Sequence, residues 1–200
     1  MIAMPRLLAL GGAVVLALVL MTGEGSARYQ SPEARADLED LVKLLRNKVI
    51  DQAAVTKKVA AIKNKHDLED LMAVYKATTS KVSSLRGAGY DPAKKGPGDG
   101  IEKRMIDLGK KELPKDKLGA EKDLLLRAAY YNLALYEISK GFGPPKKPGK
   151  GIKEWTKHNA ELKDGTEELM KAVKANDPKA LKKAMTRIHA GCNECHTDFR

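Results

Sequence analysis

Leu181-Lys182-Lys183-Ala184-Met185-Thr186-Arg187-Ile188-His189-Ala190-Gly191-Cys192-Asn193-Glu194-Cys195-His196-Thr197-Asp198-Phe199 is the stretch from which the fold can be read. Leu181, Met185, Ile188, Cys192, Cys195 and Phe199 step by four, three, four, three and four. That is the period of an amphipathic α-helix, so both cysteines fall on its core-facing stripe. His196 lies one residue beyond Cys195 and four beyond Cys192, which directs all three side chains into one space between helices. These are the only two cysteines of the chain. A helix that carries them inward specifies an all-α core built around that space.

The pentapeptide Cys192-Asn193-Glu194-Cys195-His196 has the C-x-x-C-H spacing of c-type haem attachment. Two thiols three residues apart can each form a thioether to a haem vinyl group, and the adjacent imidazole then serves as an axial iron ligand. Two other chemistries use C-x-x-C. A redox dithiol would sit near a βαβ pattern and open a helix, whereas this pair lies near the end of the chain. A structural zinc site would need a second Cys or His pair at short spacing, and His66, His158 and His189 are scattered. One covalently held haem c, ligated by His196, is the leading expectation.

The same helical period runs outward from this stretch. Asn176-Asp177-Pro178 ends one helix and starts the next, with Asp177 as N-cap and Pro178 at the first helical position. Before it, Ile152, Trp155, Leu162, Leu169 and Val173 mark a helix, with Asn159 and Thr166 in the remaining stripe positions. Gly141 to Gly151 holds three prolines and four glycines and must be a loop. Leu124, Ala128, Tyr131, Leu135 and Ile138 predict a helix over about 120–140, and Ile101, Met105 and Leu108 a shorter one. Ser83 to Gly100 reads as loop. Residues 32–79 form a long or broken helical arm. Ser31-Pro32-Glu33 opens it, a break falls near Ile50-Asp51, and Asp67 caps a further piece bearing Leu68, Leu71, Met72 and Tyr75. No strand pattern competes.

Arg6 precedes an apolar and glycine run from Leu7 to Met21, and Gly25-Ser26-Ala27 offers a small-x-small cleavage site. Residues 1–27 thus read as a secretory signal peptide cleaved near Ala27, with an uncleaved membrane anchor as the alternative. No cysteine follows the run, which excludes a lipoprotein anchor. Residues 28–200 then form one domain of sufficient length for a single core. Export agrees with the motif, because haem is joined to apocytochrome c outside the bacterial cytoplasm, and a periplasmic location is expected. The formal net charge is +11. Its lysines are dispersed and interleaved with acids, and no nucleic-acid recognition motif accompanies them. Acidic redox partner proteins or anionic surfaces are therefore expected, and no nucleic acid. With the signal cleaved, no stable membrane insertion is expected.

The tail from Cys192 through Phe199-Arg200 resembles the end of the cytochrome c′ and cytochrome c-556 family, whose haem motif continues as C-x-x-C-H-x-x-aromatic-Arg. The resemblance covers roughly the last 80 residues and loosens before Ala120. It implies a four-helix bundle with haem on its last helix, here preceded by an extended N-terminal helical arm. It also implies thioethers at Cys192 and Cys195, proximal ligation by His196, and Arg200 close to the haem or its propionates. In the family the sixth iron position is either empty and apolar or filled by a first-helix methionine, and dimers form through the first two helices. Met72 is the candidate methionine and Met105 a weaker one. Met170 and Met185 read as core residues, His158 as a rim residue, and a homodimer is an open expectation.

Function follows from ligation. A methionine ligand suits electron transfer, and an exported mono-haem electron carrier is the leading reading. A five-coordinate haem binding NO or CO is the first alternative. A non-haem helical module with a C-x-x-C disulfide is the second. No catalytic constellation stands out and no phosphate-binding glycine loop follows a strand, so no enzymatic activity is expected.

Overall fold

Ser31 opens the first described helix as its sequence requires. Its hydroxyl accepts a hydrogen bond from the Ala34 amide at 3.1 Å, with Pro32 next to it at the first helical position. The computed structural model describes residues 31–76, 88–93, 100–146 and 149–199. The signal-peptide segment 1–27, the end of the arm at 77–79, much of 83–100 and Arg200 lie outside the described residues. Eight helices are formed among the residues described, and no strand: α1 (Pro32–Leu45), α2 (Gln52–Lys63), α3 (Leu68–Ala73), α4 (Ile101–Lys110), α5 (Lys115–Ala120), α6 (Lys122–Phe142), α7 (Ile152–Ala175) and α8 (Pro178–Phe199). The chain is all-α, as expected.

The N-terminal arm is broken twice and folds back rather than extending. Asp51 ends the first break by accepting from the Ala53 and Ala54 amides at 3.0 and 3.1 Å. Asp67 occupies the N-cap position of α3, but its carboxylate makes no cap hydrogen bond. α1, α2 and α3 all pack on α6. This explains why α6 departs from a single stripe. It buries Leu125, Ala128, Ala129, Tyr131, Asn132, Ala134, Ile138 and Ser139, because the folded arm covers one side and α7 the other.

Charge fixes the arm's geometry. Asp37 on α1 receives Lys58 Nζ of α2 at 2.8 Å, lies 2.9 Å from His66 Nε2, and has Lys65 at 3.5 Å. Burial alone would raise its carboxyl, but the hydrogen bonds from Lys58 and His66 outweigh that and hold it at about 2. A carboxyl depressed below its usual value of 3.8 stabilises the fold fully above that value. The contribution is lost as pH falls towards 2, where the unfolded chain binds the extra proton. Denaturant titrations at stepped pH are expected to show stability falling between about pH 4 and 2. Asp37→Asn is expected to lower stability at neutral pH and flatten that slope.

α7 lies against both α6 and α8, and α4 packs on the other side of α8. Asp177 caps α8 through the Ala180 amide at 3.0 Å, and Asn176 closes α7 in a left-handed conformation. Ile152, placed on the apolar stripe by sequence, is 65% exposed because it is the first residue of α7. The rest of the stripe is buried: Trp155, Asn159, Leu162, Thr166, Leu169 and Val173. Arg187 reinforces the α7–α8 contact by donating to Glu161 at 2.8 Å and Glu168 at 2.7 Å. Arg104 of α4 grips Glu121, at the start of α6, through both carboxylate oxygens at 2.5–2.6 Å.

Two glycines set how closely α7 and α8 approach. A Cβ at Gly165 would lie 2.8 Å from Ile188 Cγ1, and one at Gly191 would lie 3.3 Å from Glu161 Cβ. Gly165→Ala should gain about 1 kcal/mol of helix propensity but lose about 1–3 kcal/mol to overpacking. A lower melting temperature is expected; an unchanged or higher one would show that Ile188 moves aside freely.

Candidate functional site

Once α8 passes Ile188, its stripe leaves the packed core and faces a cavity. Leu181, Met185 and Ile188 are essentially inaccessible, whereas Cys192, Cys195 and Phe199 are half-buried. The cavity holds about 990 Å³ of empty space, part of it continuous with solvent. Cys192, Cys195 and His196 form its α8 wall together, as the spacing requires.

The other walls come from four elements. α3 and the turn after it bring Met72 and Tyr75, α4 brings Met105 and Ile106, α6 brings Asn132 and Leu135, and α7 brings Trp155 and Leu162. A second space shares Met72, Trp155, Cys195 and His196 with the first and extends it towards Phe199 and Pro145. Lining side chains are mostly apolar, and the polar ones are largely held by partners. Trp155 Nε1 donates to the Ser139 carbonyl at 3.0 Å, Asn159 Nδ2 donates to the Trp155 carbonyl at 2.8 Å, and the Ser139 hydroxyl donates to Asn159 Oδ1. This net joins α6 to α7 at the cavity. The Tyr75 hydroxyl donates to the Tyr131 carbonyl, with the two rings edge-on at 6.0 Å.

His158 is the residue that sequence reading misplaced. It is only 5% exposed and lines the cavity, rather than sitting at a rim beside Lys157. The helical period explains the position: residue 158 falls three after Trp155 and four before Leu162, inside the stripe. Its Nε2 lies 2.8 Å from Asp198 Oδ2, Lys150 bonds the other Asp198 oxygen at 2.7 Å, and Phe199 stands edge-on to both Trp155 and His158. Its Nδ1 is buried with no hydrogen-bond partner. The nearest carboxylate oxygen to it, Glu194 Oε2, is 3.9 Å away.

The structure brings Met72 to the same cavity as the thiols and His196. Met105 is there as well, but its sulfur already accepts from Asn132 Nδ2 at 3.2 Å. Met185 is fully buried and Met170 packs against the core, as expected. His189 also lines the cavity, from the same helix as His196. The histidines that look scattered in sequence thus converge: only His66 lies elsewhere, beside Asp37.

Thiol chemistry discriminates between the readings of C-x-x-C. Burial pushes the Cys192 thiol up to about 11, with Cys195 adding to it, and burial raises Cys195 too. Reactive dithiols and thiolate ligands need the opposite shift. The pair also lies at the last turns of a helix, away from the N-terminal amides that would stabilise a thiolate. Among the described residues, no group of three or more His, Cys, Asp or Glu is arranged to hold a metal ion. A structural zinc site therefore lacks its remaining ligands. The residues fit a haem: two thiols and an imidazole on one wall, facing Met72, Ile106, Leu135, Trp155 and Leu162, with Glu102, Asn132 and His158 as polar groups among them.

Residues 151–200, which comprise α7, α8 and the pentapeptide, match the family model described as Cytochrome C′. This quarter of the chain is similar to that family, while residues 1–150 lie outside the match. No curated protein and no solved structure matches the chain. Among the described residues, no helix is long and apolar enough to cross a membrane.

Proposed function

We propose that this protein is an exported mono-haem c-type cytochrome that carries electrons in the periplasm. Cys192 and Cys195 would hold the haem through thioethers, and His196 and Met72 would be the residues that ligate its iron. Bound there, the haem supplies one-electron redox chemistry, and the residues around it set how readily the electron is taken up. One observation carries this reading: the thiol pair, His196 and Met72 come from opposite ends of the chain to line a single, mostly apolar cavity.

The chain's own residues account for the rest of a carrier's requirements. Trp155, Leu162, Leu135 and Ile106 give the group held there apolar surroundings, which favours its less charged state. The Ser139–Asn159–Trp155 net fixes α6 against α7, so the pocket is pre-shaped and changes little between redox states. Met105 is less suited than Met72 because its sulfur accepts a hydrogen bond from Asn132 Nδ2.

The test is the optical spectrum of the reduced protein with and without CO. Sharp α and β bands, unmoved by CO, are expected of six-coordinate iron. A high-spin ferrous form that shifts on adding CO would instead identify a gas-binding protein with an open sixth position. Absence of covalent haem in protein from a host with c-type maturation would favour the disulfide-bearing module.

A further inference from the structure

Helix order places the ends of α4 and α7 and the start of α8 at one end of the molecule. α7 and α8 form an antiparallel pair joined by Asn176-Asp177, and the Thr186 hydroxyl of α8 donates to the Gly109 carbonyl of α4 at 3.2 Å. Lys110 and Lys111, Lys171 and Lys174, and Lys179 and Lys183 therefore gather there, all exposed. None forms an ion pair among the described residues. Glu112 and Asp177 are exposed among them, and the six lysines outnumber these acids. At the opposite end Lys140 is paired with Glu137 and Lys150 with Asp198. Lys179 and Cys195 are sixteen residues apart on α8, about 24 Å at 1.5 Å per residue.

We propose that this lysine end docks the protein on an anionic phospholipid surface, leaving the cavity end free to meet redox partners. Two features favour lipid over an acidic protein. The patch is a diffuse field of lysines without the Trp, Tyr or Arg anchors that concentrate affinity in protein interfaces. The exposed large hydrophobic residues lie elsewhere: Val49 and Ile50 between α1 and α2, and Ile152 at the far end of α7. A protein seated there would also stand a full helix length from the thiols, whereas a surface needs only charge. Each lysine close to such a surface adds to partitioning, and the attraction decays within a Debye length.

The experiment is co-sedimentation of the full chain with vesicles of phosphatidylglycerol and phosphatidylcholine, against phosphatidylcholine alone. The difference between the two is the readout, so the apolar N-terminal run, common to both, cancels. Preferential binding to the anionic vesicles is expected, abolished by about 0.5 M salt. Gln at Lys110, Lys111, Lys174, Lys179 and Lys183 should reduce the partition coefficient 100-fold or more. Gln at Lys48, Lys57, Lys146, Lys153 and Lys157 changes net charge equally and should reduce it far less. Helical circular dichroism and melting of both variants verify their folding. Equal losses in the two variants would show that net charge alone acts, and would overturn the proposal. So would the absence of any preference for anionic vesicles, whatever acidic proteins the same lysines bind.

Discussion

Replacing Cys192 and Cys195 together by alanine is expected to abolish covalent haem and to cost the fold at least about 4 kcal/mol. That is a large share of the roughly 5–15 kcal/mol that holds a domain of this size together. The reason is geometric. The cavity is walled by α3, α4, α6, α7 and α8 at once, so the three longest helices, α6, α7 and α8, border space that their own side chains do not fill. A group anchored to α8 and buried against the other walls closes that space. Without it, apolar side chains such as Leu135, Leu162 and Ile106 lose contacts and face water. The variant should have lower helicity and a broad or absent melting transition. A sharp transition at the wild-type temperature would show that the helices assemble independently of what the cavity holds.

The second large effect is expected at Met72. Met72→Ala should convert a low-spin ferric spectrum to high spin, render the ferrous form sensitive to CO, and lower the reduction potential by on the order of 0.1 V. Stability should change much less, since Met72 is only half-buried. Met105→Leu makes the paired control. It keeps the volume while removing the sulfur that accepts from Asn132, and should leave the ligation spectrum as it was. If Met105→Leu alters the spectrum and Met72→Ala does not, the roles of the two methionines are exchanged. If neither does, the sixth position is not held by methionine.

The parts of the molecule that are legible in sequence share one property: each keeps one apolar stripe along its whole length. α8 is the best case, because Leu181 to Phe199 keeps one stripe through the cysteines, and α7 follows the same rule apart from its exposed first residue, Ile152. Signals failed where a residue answers to two neighbours or to a distant one. α6 was read as a stripe through Leu124 and Leu135, but the arm folds onto its far side and buries Leu125, Ala129 and Asn132 as well. α5 is a single short turn around Leu118, too brief to show a period. His158 was judged by its polar neighbours, Lys157 and Asn159. Its place was in fact set by Trp155 and Leu162 one turn away on either side, and by Asp198 forty residues further on.

The site divides in the same way. Cys192, Cys195 and His196 are a local motif, so their convergence followed from helical geometry alone. Met72 was picked from its neighbours Leu68, Leu71 and Tyr75, and its arrival at the cavity depends on the folding-back of the arm. That is a tertiary event held by Asp37, Lys58 and His66. The Asp198–His158 pair and its unsatisfied Nδ1 had no sequence signal beyond the spacing of 155, 158 and 162.

The most direct measurement is the haem content of the denatured protein, produced in a host competent for c-type maturation. Intact mass and a haem-stained denaturing gel should show one haem retained per chain after acid-acetone extraction, and none retained by the Cys192→Ala, Cys195→Ala variant. A wild-type chain that releases all its haem on extraction, or carries none, would contradict the account.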